Sequence, residues 1–170
     1  VGNAVQEAEQ GMQMGRMIAL TALGIDNAGM VINRYCGSGV EAIHLASAKI
    51  QAGMADCIIA GGAESMSLVP VMGWKTALNY RIAKEHPDYY TSMGLTAEQI
   101  AKQYKVSRED QDRFAFDSHM KAIAAQKAGK FKEEIHPIST EEVYVDDTGK
   151  KKSRSMIVDT DEGPRPETSM

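Results

Sequence analysis

The sequence predicts an α/β protein: a βαβ unit with a cysteine at its first strand-to-helix turn, followed by a loop-rich α+β part. Three stretches carry this expectation. Residues 30–35 ("MVINRY") form a short β-prone segment bounded by Gly29 and Gly37. Residues 39–52 have helical spacing, with Val40, Ile43, Ala46 and Ile50 on one stripe and Gly53 closing it. Residues 57–60 ("CIIA") are a continuous apolar run capped by Gly61 and Gly62, the pattern of a parallel strand buried on both faces. Strand, helix and strand in that order make a βαβ unit, whose crossover is right-handed.

The remaining elements follow in order. Residues 14–23 ("MGRMIALTAL") read as a helix with Met14, Met17, Ile18 and Ala22 on one face and Gly24 as its stop. After Met66 the texture changes. Residues 67–91 have few apolar runs and hold two prolines and the only tryptophan, Trp74; they read as ordered loops with one short helix. Thr96-Ala97-Glu98-Gln99 is a capping-box pattern that opens a short helix to about Tyr104. Ser107-Arg108-Glu109-Asp110 caps a longer helix ending near Gly129. Residues 143–158 read as a β-hairpin turning at Asp147-Thr148-Gly149. The expected organisation is a compact α/β part over residues 1–66 and a loop-rich α+β part over 67–170.

At 170 residues and 43% hydrophobic, the chain can bury one good core, or one core plus a looser lobe, and its composition excludes a disordered protein. With 19 basic against 23 acidic residues, nothing suggests a general nucleic-acid surface. The one basic run, "GKKKSR" at 149–154, reads as a solvated hairpin tip. Two cysteines, Cys36 and Cys57, are expected as reduced thiols in a reducing compartment. No apolar run approaches the ~18 residues of a membrane span. The first residues have no signal-like pattern and do not begin with Met, so the chain reads as opening in mid-domain. The expected location is cytoplasmic, or an organellar matrix if the source is eukaryotic. No metal site is expected.

Cys36 is where the chemistry becomes specific. It follows the carboxyl end of a predicted buried strand, where open α/β sheets present their sites. It also directly precedes a helix, whose free amides and positive dipole end favour negative charge on sulfur. Gly37 and Gly39 permit a sharp turn and close approach of a substrate. On position alone, a nucleophile and a small buried cysteine beside a tight turn are equally good readings. Cys57, inside its apolar run, reads as core packing.

Motifs along the chain resolve that choice. "NRYCGSGVEAIHLASAKIQAG" followed by "ADCIIAGGAESMS" resembles the acyl-enzyme cysteine region of thiolases, the 3-ketoacyl-CoA and acetoacetyl-CoA enzymes. The resemblance continues through "SMGLTAEQIAKQYKVSREDQDRFAFDSHMKAIAAQKAGKFKEEIHPI" to "DEGPRPETSM", similar to the family's "DE-x-x-RP-x-T" segment. It covers nearly the whole chain, with several motifs agreeing in order. It implies a layered thiolase-like α/β core, partial over residues 1–66. It also implies that residues 67–170 are the loop domain that cradles CoA, incomplete at its C-terminus.

The resemblance further implies a CoA-dependent acyltransferase in which Cys36 carries the acyl group as a thioester. The reaction is thiolysis of 3-ketoacyl-CoA to acetyl-CoA and a shortened acyl-CoA, or the reverse Claisen condensation. Coenzyme A is a substrate, with no permanently bound cofactor. Met93 matches the methionine beside the family's substrate pocket, and Ser92 stands where some biosynthetic members have histidine, which leans towards the degradative branch. The implied assembly is a homo-oligomer pairing through the strand from Asp56 to Gly61. A thiolase also uses a Gly-His-Pro histidine, a second reactive cysteine and an Asn-Glu motif, none of which occurs in these 170 residues. His86-Pro87 and His136-Pro137 lack the preceding glycine and read as loop residues; His44 and His119 read as surface or packing residues on helices. The 170 residues alone are therefore expected to be inactive. Two alternatives remain: a ketoacyl-synthase-like condensing enzyme, which the motifs after Met66 argue against, and a non-catalytic thiolase-like binding module.

Overall fold

The structure is a computed structural model describing all of Val1–Met170. It divides into two compact units, Val1–Tyr89 and Tyr90–Met170. The division falls later than the change in texture near Met66, because the chain beyond Met66 is still tied to the first unit. Val69 is almost fully buried there. The Trp74 N–H donates to a Glu7 carboxylate oxygen at 2.6 Å.

In the first unit the amino-terminal segment bridges two others in parallel: Gly2 pairs with Ile32 on one side and with Gly62 on the other. Its hydrogen bonds run from Ile32 N to Val1 O (2.9 Å), Asn3 N to Ile32 O (3.0 Å), Gly2 N to Gly61 O (2.7 Å) and Ala63 N to Gly2 O (3.0 Å). The strand expected at 30–35 is thus present only as a single bridge at Ile32, and the one expected at 57–60 is not formed; the contact to the amino-terminal segment falls just after it, at Gly61–Ala63, and the two segments do not pair with each other. The reason is partner length. Only the residues around Gly2 supply backbone donors and acceptors, and a ladder extends no further than its partner.

Helix α1 (Met14–Leu23) and helix α2 (Ser38–Gln51) fall where the periodicity places them, with Gly24 and Gly53 closing them at positive φ. Their buried faces differ from those expected. α1 packs through Gly15 and Ala19, and α2 through Ser38 and Ala42. The predicted α2 stripe is open: Val40 is 73% and Ile43 60% exposed. A good core, with or without a looser lobe, is likewise not formed: the buried apolar side chains are Ala19, Ala42 and Val69. Small residues win the interior because backbone meets backbone there. A Cβ added at Gly15 would sit 2.2 Å from the Met30 carbonyl oxygen. Gly15→Ala should therefore destabilise the first unit by ~1–3 kcal/mol, since overpacking against backbone cannot relax cheaply. Gly39→Ala, with nothing within 4 Å of the new methyl, is the control. Urea denaturation of both variants checks the contrast. A short helix α3 (Tyr80–Glu85), capped by Asn79, completes this unit as expected.

The second unit contains α4 (Met93–Tyr104), α5 (Arg108–Lys127) and an antiparallel hairpin of β1 (Ile138–Val145) and β2 (Lys151–Val158). α4 begins one turn before the predicted capping box. Ser92 is the cap, accepting from Leu95 N at 3.4 Å, and the Thr96 hydroxyl instead donates to the Ser92 carbonyl at 3.0 Å. α5 is capped by Ser107 as predicted, with Asp110 N donating to its hydroxyl at 3.1 Å. The hairpin's first strand starts at Ile138 rather than 143, because Ile138-Ser139-Thr140 finds partners in Val158, Ile157 and Met156. Two of the basic tip's side chains are paired within the hairpin, Lys152 with Asp146 and Arg154 with Glu142.

Asp146 organises the hairpin turn. Its Oδ1 accepts from the Thr148 hydroxyl (2.6 Å), Thr148 N (2.9 Å) and Lys150 N (3.1 Å). Hydrogen bonds from Thr148 first, then from Lys150, hold its carboxyl down to about 2. A depressed folded-state pKa stabilises the turn above the ordinary carboxylate value of about 3.9, and the contribution is lost as pH falls from there through about 2. Carboxyl-carbon NMR titration should find Asp146 ionised down to about pH 2, and Thr148→Ala should move its titration upwards.

Candidate active site

Cys36 is the middle residue of a 3-10 turn, Tyr35–Gly37, that runs directly into α2 at Ser38. The turn is strained and braced. Tyr35 has φ +47°, the left-handed region that costs a non-glycine residue about 1–2 kcal/mol. Such strain persists only where the surroundings over-determine it. Here the Ser38 hydroxyl, itself buried, donates to Tyr35 O at 2.6 Å and accepts from Arg34 N at 2.9 Å. Tyr35 N donates to Asn33 Oδ1 at 2.9 Å, and Gly37 N to Arg34 O at 3.0 Å. Arg34 also reaches forward to Glu41 of α2 at 3.1 Å.

The floor beneath this turn is the bridging amino-terminal segment. A Cβ at Gly2 would lie 2.5 Å from both the carbonyl carbon and oxygen of Ser38, so only glycine lets the segment pass under the start of α2. Behind it, the Glu64 carboxylate gathers four donors: Ala4 N at 2.7 Å, Gln10 Nε2 at 2.9 Å, Asn3 Nδ2 at 3.1 Å and Val5 N at 3.4 Å. Asn3 and Gln10 are buried, and their amides join residues 3–10 to residues 63–65. Neither this network nor Asn33 was singled out in the sequence. The legible signal was the run of Asn, Gln and Glu beside glycines, which reads equally well as loop.

Both thiols are exposed. For Cys36 that leaves the sulfur open to approach. For Cys57 it corrects the expectation of a core cysteine: residues 57–60 join no sheet, and while Ile58 and Ala60 are half-buried, Cys57 and Ile59 face outward. Both cysteines of this chain should accordingly be alkylated by iodoacetamide, without the contrast in access that a buried Cys57 would give; time-resolved peptide mass spectrometry reads this directly.

The family model described as "Thiolase, N-terminal domain" matches residues 1–170. The chain belongs to the thiolase family. It is 48% identical over 170 residues to a 3-ketoacyl-CoA thiolase of Bacillus subtilis, covering 99% of this chain and 44% of that protein. It is 39% identical over 184 residues to a probable acetyl-CoA acyltransferase of Staphylococcus epidermidis, covering all of this chain and 44% of the relative. Among solved structures, the dimeric peroxisomal thiolase of Saccharomyces cerevisiae superposes with a TM-score of 0.77 at 31% identity, over 97% of this chain and 40% of that one. The α/β fold is thus the thiolase fold, and the chain spans less than half the length of the relatives it matches.

In this thiolase chain Ser92 and Met93 lie in the second unit, and Cys36 in the first. Met93 is the first residue of α4 and is 74% exposed, while the Ser92 hydroxyl is engaged as the helix cap. The histidines fall where they were read. His44 is an exposed residue of α2, and His86 follows α3 and stacks on Tyr89 at 4.8 Å. His136 is in the loop before β1. His119, half-buried on α5, accepts from Arg165 N at 3.0 Å and so ties the thiolase-like "RPET" segment to that helix. No helix is long and apolar enough to cross a membrane.

Proposed function

We propose that the protein to which this chain belongs is a CoA-dependent acyltransferase that cleaves 3-ketoacyl-CoA thiolytically, with Cys36 as its nucleophile. The observation that carries the reading is the exposed Cys36 in a strained, fully braced turn at the start of α2, in a chain of the thiolase N-terminal family. In the first half-reaction the Cys36 thiolate attacks the C3 carbonyl carbon of the substrate. The C2–C3 bond breaks, its electron pair passes to C2, and C2 takes a proton to leave as acetyl-CoA. In the second, the thiolate of CoA attacks the Cys36 thioester, releases the shortened acyl-CoA and restores the Cys36 thiolate. Two acyl transfers through a covalent intermediate replace one difficult step.

Residues 67–170 are read as the CoA-cradling loop domain, with Met93 offering apolar surface to the acyl substrate and Ser92 setting the start of its helix. The likeness to 3-ketoacyl-CoA thiolase names supports the degradative direction. Assembly as a homo-oligomer through the segment from Asp56 to Gly61 fits the dimeric state named for the yeast relative and the uncovered Ile59. Free thiols fit a reducing cytoplasm or organellar matrix.

Initial-velocity kinetics of the full-length protein with 3-ketoacyl-CoA and CoA test the reaction. Parallel double-reciprocal lines are expected for the ping-pong scheme. Intersecting lines, or no acetyl-CoA formed, would contradict it.

A further inference from the structure

We propose that Asn33 is a positioning residue for Cys36, an inference that rests on the nucleophile reading above. Both ends of the Asn33 amide are used on backbone: Oδ1 accepts from Tyr35 N at 2.9 Å, and Nδ2 donates to Ala4 O at 2.9 Å. An Asn that accepts from the backbone two residues on makes a local turn, and this one is made at the residue with φ +47° that precedes Cys36. Its other end ties the same turn to a different segment. Ala4 is itself held, because its N–H donates to Glu64 at 2.7 Å. The direction in which Cys36 leaves the turn is therefore referenced, through one amide, to the amino-terminal segment and the two segments that Gly2 bridges.

The chemistry of the two contacts specifies asparagine. Tyr35 N–H can only donate and Ala4 O can only accept, so the side chain must carry one acceptor and one donor at opposite corners of a short planar group. Aspartate supplies the first contact and not the second. Asn33 is exposed, so truncating it leaves no apolar cavity. Its loss should act on geometry more than on stability. A nucleophile needs its target held about 3–3.5 Å away in line, and a 1 Å misplacement can cost about 100-fold in rate.

The test uses the full-length protein and compares wild type, Asn33→Ala and Asn33→Asp. The readout is the single-turnover rate of acetyl-CoA release from 3-ketoacyl-CoA with enzyme in excess. Each rate is normalised to Cys36 sites, counted from the iodoacetamide-labelled fraction of the Cys36 peptide by mass spectrometry because Cys57 is exposed as well, and is accompanied by a thermal midpoint. Asn33→Ala should slow acylation per titrated site by about 100-fold. Asn33→Asp, keeping the Tyr35 contact, should fall between the two. A rate per titrated site equal to wild type in Asn33→Ala overturns the proposal, even if the melting point falls, because a purely structural role changes the number of sites and not their rate. If Asn33→Ala does not fold, an unchanged rate in Asn33→Asp overturns it. A wild-type protein that forms no thioester on Cys36 overturns the nucleophile reading and this inference together, whereas normal wild-type acylation with unaffected variants removes the inference alone.

Discussion

Replacing Cys36 by alanine in the full-length protein should abolish thiolysis, lowering kcat by about 10⁴-fold or more, the scale on which removal of a covalent nucleophile acts. No other residue of this chain offers a substitute. Cys57 is an exposed residue of a poorly paired apolar run, without the turn, the braces or the helix start that frame Cys36. Cys36→Ala should leave the fold intact, because the sulfur is exposed and the braces run through Asn33, Arg34, Tyr35 and Ser38. Circular dichroism separates loss of chemistry from loss of structure, and a coupled acetyl-CoA assay measures the rate. Substantial turnover by a folded alanine variant would remove Cys36 from the mechanism.

A polypeptide consisting of these 170 residues should show no thiolase turnover above background, even where Cys36 is correctly folded. A thiol nucleophile needs a base to take its proton and a second group to handle the proton of CoA or acetyl-CoA. The His-Pro pairs available, His86-Pro87 and His136-Pro137, follow Glu85 and Ile135 instead of glycine and belong to helix-end and loop positions. Removing members of a catalytic unit is strongly non-additive, so what remains does not retain a proportional share of the rate. Acetoacetyl-CoA cleavage by the purified polypeptide, followed by loss of the enolate absorbance, measures this. A Cys36-dependent rate near that of the full-length protein would contradict it.

Local signals were legible where a few residues decide an element. Gly24, Gly53 and Gly129 mark the ends of α1, α2 and α5, and each has positive φ. Ser107 caps α5 because its hydroxyl meets Asp110 N with no competitor. Thr96 did not cap α4, because Ser92 offered an equivalent cap one turn earlier and the longer helix satisfies more backbone. Burial was not legible in the same way. The stripe of Val40, Ile43 and Ile50 states which face of α2 is apolar, but not what covers it, and in this chain the interior goes to Gly15, Ala19, Ser38 and Ala42. The position of Cys36 at the strand-to-helix turn could be read from its glycines. The brace around it could not, since contacts such as Asn33 to Ala4 and Gln10 to Glu64 join residues far apart in sequence and follow no local period.

Trapping the acyl-enzyme tests most directly whether Cys36 carries the acyl group. Full-length protein is mixed with 3-ketoacyl-CoA in the absence of CoA, quenched in acid, digested and read by peptide mass spectrometry. A peptide containing Cys36 that is heavier by the shortened acyl group is expected, with an unmodified Cys57 peptide and loss of the adduct when CoA is added before the quench. An adduct on any other residue, or acetyl-CoA release with the Cys36 peptide unmodified, would contradict it.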